Sequence, residues 1–370
     1  MNRIVRFLKT EPVLCVSAAA ALLSMLLVPP SPAYWGYLDF RVLSLLFCLM
    51  AVVAGLQSAG VFEVLSQRLC LRANGVRALS LILVLLCFFS SMLITNDVAL
   101  ITFVPFAIGV LGLTGQQELL IPVVVLQTVA ANLGSMLTPV GNPQNLYLYS
   151  FYEMAPGDFF SLTLPLTGLS LLLLVPCCLL GKERHLTISF AAKANVTDRR
   201  RALLYGVLAL VCLLGVFRLL PYQAALAAVL GCMLLWDRPR FRAVDYGLLC
   251  TFVCFFIFVG NLGQLGAVRA LVSSLLQGRE LPASALISQV VSNVPAAVML
   301  SSFTGDARAL LAGTNIGGLG TLIASLASLI SFKFYCKTPG ARPGKYLLVF
   351  TGVNLVFLLI LLCCAQLMIS

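Results

Sequence analysis

The sequence predicts an all-α polytopic membrane protein, built as an inverted-topology repeat with two re-entrant hairpins and two discontinuous transmembrane helices. The first observation is that its 370 residues are 61% hydrophobic and only 10% charged. The second is a mean hydropathy of +1.03. A soluble chain of this length cannot bury so much apolar surface in one core. Several segments approach the roughly 20 apolar residues with which a helix crosses a bilayer.

The net charge of +11 does not indicate a nucleic-acid partner, because the basic residues fall in short loops between apolar runs. The thirteen cysteines show no paired C-x-x-C metal spacing. We interpret them as small hydrophobic residues in contact with lipid or neighbouring helices. A soft-metal pair at Cys250 and Cys254, on one helix face, is the alternative. No cofactor and no resident metal are otherwise expected.

The apolar segments set the order of the elements. The first follows "MNRIVRFLKT" and resembles a signal peptide, but its small-residue site near Ala33 is poor, so we interpret it as a retained first helix. The predicted segments lie near 12–28, 40–58, 77–94, 98–113, 119–150, 159–180, 202–219, 221–236, 245–262, 282–303, 306–332 and 345–368.

The positive-inside rule orients these segments in a plasma membrane, expected to be a bacterial inner membrane. The regions rich in Lys and Arg, all predicted to be cytoplasmic, are the N-terminus with Arg3, Arg6 and Lys9, the loops around Arg72 and Arg240, the linker 181–201 and the loop 333–345. The loop 151–158 has no Lys or Arg and is predicted to lie outside, as is the C-terminus.

Segment 282–303 has polar residues at its centre. Each arm around Ser292 is about ten residues, or about 15 Å of helix, which is half of the roughly 30 Å hydrocarbon core. The segment therefore predicts a re-entrant hairpin that enters from outside and packs against protein or a water-filled cavity.

A second candidate hairpin lies at about 85–112, where hydropathy alone does not separate a hairpin from two ordinary spans. Internal repetition favours the hairpin, because both tips carry a hydroxyl, a second hydroxyl one turn later, and then Asn. The paired positions are Ser91 with Ser288, Thr95 with Ser292, Asn96 with Asn293, Asp39 with Asp245 and Gly55 with Gly260. By the charge rule the first copy runs inward and the second outward.

The repeat divides the chain into a first transmembrane repeat at 1–180, a basic cytoplasmic linker at 181–201 and a second repeat at 202–370. After each hairpin comes a long segment with a polar, glycine-rich middle, at 119–150 and at 306–332. Gly is a poor helix former and Pro lacks a donor, so these middles predict broken helices.

Inverted repeats with interrupted helices are the architecture of secondary transporters. Carbonyl groups freed by a break coordinate a cation together with hydroxyls, whereas half-helix N-termini suit an anion. The predicted cation ligands are Ser91, Thr95, Asn96, Gly134, Ser288, Ser292, Asn293 and Gly317. The predicted substrate contacts at the breaks are Thr138, Asn142, Gln144, Asn145, Asn315 and Gly318, and the family resemblance given next adds Asp97 and Val294. A helix kink satisfied by neighbouring helices is the alternative explanation of these residues.

Four stretches resemble the ion-transporter superfamily, over about residues 40–365: "TNDVALITFVPF", "GSMLTPVGNPQN", "SNVPAAVML" and "NIGGLGTLIASLASLI". Its members include arsenite-efflux permeases, sodium/proton antiporters, and citrate and dicarboxylate:sodium symporters. The resemblance implies a homodimer held by scaffold helices and an elevator-like motion. In the dicarboxylate symporters each tip reads Ser-Asn-Thr, and the Thr touches substrate carboxylate. Asp97 and Val294 stand in those places here, which is closer to the arsenite and antiporter branches.

Asp97 lies at the centre of an apolar segment, where acids are costly and usually functional. Burial raises the pKa of a carboxyl group and a nearby cation lowers it, so such a group can exchange a proton for sodium. The alternative, compatible role is an N-cap for a helix that starts at Val98. The other acids considered, Asp39, Asp245 and Asp306, lie near segment ends, and His185 lies in the linker.

We therefore predict a secondary active transporter that moves a small anion, coupled to sodium or protons. The alternatives are a sodium/proton antiporter, an arsenite-type efflux permease and, from other classes, a channel or an enzyme. An enzyme is not expected, because the chain has no H-E-x-x-H motif and no second central acid to pair with Asp97. No Lys or Arg occurs at a tip or break, which favours a mono- or divalent anion.

Overall fold

The computed structural model describes residues 11–180, 183–186, 188–190 and 192–369. These residues are almost entirely helical, with one isolated β-bridge between Gly75 and His185. Among them, six helices are long and apolar enough to cross a membrane: Phe40–Ser58, Asn96–Leu113, Gln117–Ser135, Pro156–Leu179, Tyr246–Gln264 and Pro343–Ile369. The chain is a polytopic helical membrane protein, as its sequence predicts.

The described part of the first half forms eight α-helices. They are α1 (Pro12–Leu27), α2 (Phe40–Ser58), α3 (Val61–Cys70), α4 (Val76–Ser90), α5 (Asn96–Leu113), α6 (Leu120–Ser135), α7 (Pro143–Phe151) and α8 (Pro156–Leu179). A short 3-10 helix, Pro32–Tyr37, precedes α2. Asp39 then starts α2 as its N-cap, because its side chain accepts a 2.9 Å hydrogen bond from the Val42 N–H.

The second half, again within the described residues, continues with nine α-helices. They are α9 (Arg199–Val216), α10 (Tyr222–Trp236), α11 (Tyr246–Gln264), α12 (Gly266–Leu276), α13 (Glu280–Val291), α14 (Asn293–Ser301), α15 (Ala307–Ile316), α16 (Leu326–Cys336) and α17 (Pro343–Ile369). A 3-10 helix, Arg238–Ala243, precedes α11. Asp245 caps α11 by accepting a 2.9 Å hydrogen bond from the Leu248 N–H, just as Asp39 caps α2.

The predicted hairpins correspond to two helix pairs of unequal length. Helices α13 and α14 have 12 and 9 residues, or about 18 and 14 Å, so each is much shorter than the roughly 30 Å core. They meet at Ser292, which has a φ of +77°, a strained value for a residue with a side chain. Helices α4 and α5 have 15 and 18 residues and meet at the turn 91–95. We call these two junctions the first tip (residues 91–96) and the second tip (residues 292–294).

Both predicted broken helices contain a non-helical middle. Helix α6 ends at Ser135 and α7 begins at Pro143, whereas α15 ends at Ile316 and α16 begins at Leu326. We call residues 136–142 the first break and residues 317–325 the second break. Most residues of both breaks are buried, and Thr321 and Ile323 are exposed.

A separate group of helices packs on α2 and α11. Helices α9 and α10 pack against α2, and α1 packs against α11. Asn261 of α11 donates hydrogen bonds to Ser24 Oγ and to the Tyr34 hydroxyl, both at 2.9 Å. Gly55 of α2 lets the ring of Tyr205, on α9, approach so closely that an added Cβ would overlap it.

The described part of the linker lies against the end of α2 and the start of α4. The Thr197 N–H donates to the Ala59 carbonyl at 3.1 Å, and the Val76 N–H donates to the Arg184 carbonyl at 3.1 Å. The linker thus lies at the same end of the molecule as the loop around Arg72. The basic residues Arg3, Arg6, Lys9 and Lys182 lie outside the described residues, and the orientation in the bilayer stays a prediction.

Candidate functional site

Each tip is hydrogen-bonded to the break that follows it in the chain. The Asn96 N–H donates to the Gly141 carbonyl at 3.1 Å, and the Asn293 N–H donates to the Ala324 carbonyl at 2.9 Å. A backbone group at each tip, which no helix satisfies, is thereby paired inside the protein. The two halves build the same contact from positions that the repeat pairs.

A threonine in each break bonds back to the hairpin, at the first tip in one half and at the helix before the second tip in the other. The Thr138 hydroxyl donates to the Met92 carbonyl. The Thr321 hydroxyl donates to the Gln289 carbonyl at 3.0 Å. Thr138 and Thr321 are equivalent in the repeat, as are Met92 and Gln289, so this second contact also recurs.

Side chains near the two breaks also cross between the halves. Asn132, near the end of α6, accepts hydrogen bonds at Oδ1 from Asn96 Nδ2 and from Ser325 Oγ, each at 3.0 Å. Its Nδ2 lies 3.4 Å from Ser328 Oγ, in α16. Asn132 of the first half is therefore hydrogen-bonded to residues at the start of α16, in the second half.

Asn315 makes the reciprocal crossing. Its Oδ1 accepts a 3.0 Å hydrogen bond from Asn142 Nδ2, and its Nδ2 donates a 2.6 Å bond to Asn145 Oδ1. All these amides are buried, and buried amides are costly unless they are hydrogen-bonded. We call these bonds, on Asn132 and Asn315 together, the crossed amide network.

A small central pocket lies where the two tips meet. Four helices begin at its wall, α5 at Asn96, α7 at Pro143, α14 at Asn293 and α16 at Leu326. Helix N-termini carry partial positive charge and free N–H groups. The pocket has a volume of about 20 Å³, which is room for a single water molecule. Gln144, in its wall, has a buried Oε1 with no hydrogen-bond partner.

A larger cavity, of about 200 Å³, adjoins this pocket. Asp97 lines both spaces and therefore stands between them. Asp245 lines the larger cavity as well, together with Gln57 and Thr95. Asp245 lies at the end of a predicted segment, as the N-cap of α11, but it lines the same cavity as Asp97, which the sequence did not predict. Neither space has a Lys or Arg among its described lining residues.

A third acid lies beside Asp245, outside the membrane-spanning helices. Burial raises the pKa of the Glu11 carboxyl, the Asp245 carboxylate raises it further, and Lys333 opposes the shift. Glu11 Oε2 would lie 2.8 Å from a Cβ added to Gly247, in the first turn of α11. The region around the start of α11 is therefore acidic.

The structure corrects one role considered for Asp97. Helix α5 begins at Asn96, with Thr95 at the N-cap, and not at Val98. Asp97 therefore lies in the first turn, and its N–H donates to Asn96 Oδ1 at 3.0 Å. A carboxylate in this turn is stabilised by the helix dipole without being a cap.

The predicted cation ligands fall into two groups, one at each tip. In the first group, Ser91 is so close to Gly134 that an added Cβ would lie 2.7 Å from its Oγ. In the second, a Cβ at Gly317 would lie 2.9 Å from Ser288 Cβ. The remaining members are Thr95 and Asn96 in the first tip, and Ser292 and Asn293 in the second.

The predicted substrate contacts fall into three sets: residues that line the central pocket, a residue that lines the larger cavity, and residues that line neither space. Those that line the central pocket are Asp97, Gln144 and Val294. Asn142 lines the larger cavity. Asn145 is fully buried, and its Nδ2 donates to the carbonyls of Ser135, Met136 and Thr138 at 3.0–3.3 Å. Thr138, Asn315 and Gly318 likewise line neither space.

Six residues of the site were not singled out from the sequence as site residues: Asn132, Asp245, Gln289, Thr321, Ser325 and Ser328. The repeat supplies the signal that finds the two serines, because Ser325 is equivalent to Asn142 and Ser328 to Asn145. Both belong to the crossed amide network.

Comparison with known proteins identifies relatives of this chain. The family described as "Citrate transporter" matches residues 7–309. An uncharacterized transporter of Methanocaldococcus jannaschii is 28% identical over 354 residues, which are 95% of this chain and 96% of the relative. The inner membrane protein YbiR of Escherichia coli is 31% identical over 318 residues, or 83% of each chain.

A plant relative covers less of the chain. A silicon efflux transporter of Oryza sativa subsp. japonica is 33% identical over 149 residues, which are 40% of this chain and 30% of the relative. The family match, by contrast, covers most of the chain. With its apolar helices and its transporter relatives, the chain belongs to the citrate transporter family of multi-pass membrane transporters.

Proposed function

We propose that this transporter moves a small anion across the plasma membrane, coupled to sodium or protons. The observation that carries the proposal is the central pocket, where four helix N-termini and both tips meet. Helix N-termini suit an anion without a fixed positive side chain. Because neither space has a Lys or Arg in its described lining, a mono- or divalent anion fits better than a trivalent one.

Coupling is assigned to Asp97 and the first tip. Asp97 is the acid that borders both the central pocket and the larger cavity, so its charge acts directly on a bound solute. The cation ligands proposed beside it are Ser91, Thr95, Asn96 and the Gly134 carbonyl. Sodium and protons compete at this carboxylate, since binding of either neutralises it.

The chain is proposed to be an inverted-topology repeat of two halves, 1–180 and 202–370, each with a re-entrant hairpin and a discontinuous transmembrane helix. Three recurring features support this: the Asp caps of α2 and α11, the tip–break hydrogen bonds, and the crossed amide network. Unrelated segments would not repeat all three at equivalent positions. The N-terminus and the linker 181–201 are assigned to the cytoplasm by their basic residues.

An elevator-like motion of a homodimer is the mechanism proposed from the family resemblance. The packing supports a division of labour between helices. Helices α1, α9 and α10 pack mainly on α2, on α11 or on each other, whereas the hairpin helices and the half-helices beside the breaks pack mainly on one another and on α8. The first group is the scaffold in this proposal, and the tips and breaks move with the solute.

Arsenite-type efflux of a neutral, hydroxylated solute is the second candidate. Two observations favour it: Asp97 and Asp245 share one cavity, and part of the chain is similar to a silicon efflux transporter. A hydroxyl group also suits the unpaired Gln144 Oε1, which accepts hydrogen bonds. Sodium/proton antiport is the third candidate. It requires only the exchange of sodium and protons at Asp97, and no other transported solute.

Transport by purified protein in liposomes separates these candidates. Saturable uptake of a mono- or divalent anion, driven by a sodium or pH gradient, supports the leading proposal. Proton flux driven by a sodium gradient, with no binding of a small anion or a neutral hydroxylated acid, supports the antiporter instead. Preference for a trivalent over a monovalent anion in sodium-free buffer contradicts the argument from missing basic residues.

A further inference from the structure

Gln289, in the last turn of α13, fills the space between the second tip and the second break. Its Nε2 donates to the carbonyls of Ala285, Gly317 and Leu319, at 3.0, 2.9 and 2.9 Å. Its Oε1 accepts a 2.9 Å hydrogen bond from the Thr321 N–H. One side chain thus links the helix before the tip to the first part of the break.

The orientation of this amide is fixed by its partners. If oxygen and nitrogen exchanged places, the amide oxygen would face three carbonyl oxygens and the nitrogen would face an N–H group. Four favourable contacts would then become repulsive. The three carbonyls therefore converge on a hydrogen-bond donor supplied by the protein itself.

The second break is also shaped to admit this side chain. Gly320 has a φ of +106°, which side-chain-bearing residues rarely adopt, and a Cβ there would overlap Gln289 Oε1. At Gly317, an added Cβ would lie 2.8 Å from the Ala285 Cα. Both glycines are needed for the break to approach α13 and Gln289 this closely.

The first half has no donor in the corresponding place. Met92 is the counterpart of Gln289 and has no N–H group in its side chain. In the first break, the carbonyls of Met136 and Thr138 accept hydrogen bonds from the Asn145 side-chain amide. Asn145 lies in α7, after the break, and not in the helix before the tip. At the position of Gln289, the first half therefore offers no side-chain amide to the first break.

Convergent carbonyls at a helix break are ligands for a dehydrated cation. An amide NH₂ satisfies such carbonyls with partial positive charge, but it cannot leave the protein or carry a transported charge. We propose that the Gln289 amide takes the place of a coupling cation at the second break, so that the protein couples to one cation, at the first break, and not to two. This inference rests on the proposed function, in which cations drive transport.

A consequence for the solute follows from charge. Each bound cation offsets one negative charge of the solute in a site without Lys or Arg. With Gln289 in place of the second cation, that offset falls by one charge. The preferred solute is therefore a monovalent anion or a neutral acid, and a divalent anion is transported poorly.

Sodium binding to purified protein, counted by calorimetry or with radioactive sodium in choline chloride of constant ionic strength, tests the inference. The variants are Gln289→Ala and Gln289→Met, the latter copying Met92. The control is Gln67→Ala, which removes an amide that bonds to Ala194 in the linker, far from both breaks along the chain. The wild type and the control are expected to bind at most one sodium per chain.

Both Gln289 variants are expected to gain one sodium site. Their melting temperature should fall by several degrees in choline chloride, because three carbonyls lose their donor, and should recover in sodium chloride. Two sodium ions bound by the wild type would overturn the inference. So would a folded Gln289→Ala protein with an unchanged sodium count.

A further variant covers the case in which Gln289→Ala does not fold. Gln289→Glu keeps the shape but places a carboxylate against the carbonyls, so its stability should depend on sodium. Equal stability of this variant in sodium and choline chloride would contradict the proposal. Because sodium is counted without solute, failure to transport any solute would refute the proposed function and leave the sodium count standing on its own.

Discussion

Asn315 donates a 2.6 Å hydrogen bond to Asn145, although 170 residues separate them in the chain. The bond joins the end of α15 to the start of α7, and both side chains are buried. Asn142 adds a second bond to the same Asn315 side chain at 3.0 Å. The two broken helices are therefore stabilised by each other's polar groups.

Replacing Asn315 should destabilise the protein. Asn315→Ala leaves Asn145 Oδ1 and Asn142 Nδ2 without this partner, and each buried unpaired group costs about 1–3 kcal/mol. The free energy of unfolding, or the melting temperature in detergent, measures the loss. Asn354→Ala is the control, because Asn354 is a buried Asn with one bond, within its own helix. Equal losses for the two variants would argue against the crossed amide network.

Asp97→Asn should remove the pH dependence of transport while the protein still folds. The amide has nearly the shape of the carboxyl group but neither ionises nor takes up a proton. Transport rates at several pH values measure the effect. In the anion symporter, solute binding should persist in this variant, because the helix N-termini around the pocket remain. A pH profile unchanged from the wild type would exclude Asp97 as the coupling acid.

Asn96→Ala and Asn293→Ala should each abolish coupled uptake without preventing folding. Each Asn side chain accepts a hydrogen bond from the N–H of the residue that follows it, and the loss of this bond destabilises the start of α5 or α14. Only Asn96→Ala should change the cation dependence of solute binding, because Gln289 occupies the second break. Uptake of solute with ordinary cation dependence by both variants would refute the site at the tips.

Gly320→Ala should destabilise the protein more than Gly340→Ala. Both glycines have positive φ, +106° and +73°, so both substitutions carry backbone strain of about 1–2 kcal/mol. Only at Gly320 would the new methyl group overlap Gln289, since nothing lies within 4 Å of a Cβ at Gly340. The difference between the two melting temperatures therefore reports the contact with Gln289. Similar losses would mean that the break has room to shift.

Reporter cysteines test the orientation of the chain in the membrane. Ala155 and Lys193 are both exposed, one in the acidic loop and one in the linker. In a background without the thirteen native cysteines, Ala155→Cys should react with an impermeant reagent from outside and Lys193→Cys from the cytoplasm. Reaction of Ala155→Cys from the cytoplasmic side alone would refute the proposed inverted topology.

The tips and breaks are predictable from the sequence because their polar residues and glycines interrupt apolar segments. Asn96, Asn293 and the glycines of the breaks stand in apolar segments where polar groups are costly. The helix boundaries at Ser135, Pro143 and Ile316 follow from the same signal within a few residues. A membrane segment tolerates such residues where protein partners satisfy them, so their positions are informative.

Other parts of the site depend on contacts that no local pattern reveals. Ser325 and Ser328 are single hydroxyls of a kind common in membrane helices, and their importance comes from Asn132, which lies in the other half. Asp245 lies near a segment end in the sequence, and only the fold places it in the wall of the same cavity as Asp97. Gln289 carries no signal of its own, because its role depends on three carbonyls that only the fold brings together.

Because of the crossed amide network, neither half of the chain can satisfy its buried polar groups alone. Asn132 needs Ser325, and Asn315 needs Asn142 and Asn145, so each half alone would leave polar groups unpaired in hydrocarbon. A half expressed alone should therefore be rapidly degraded or dimerise with a second copy of itself. Co-expression of the two halves as separate chains should restore a complete site, since the bonds require proximity and not a continuous backbone.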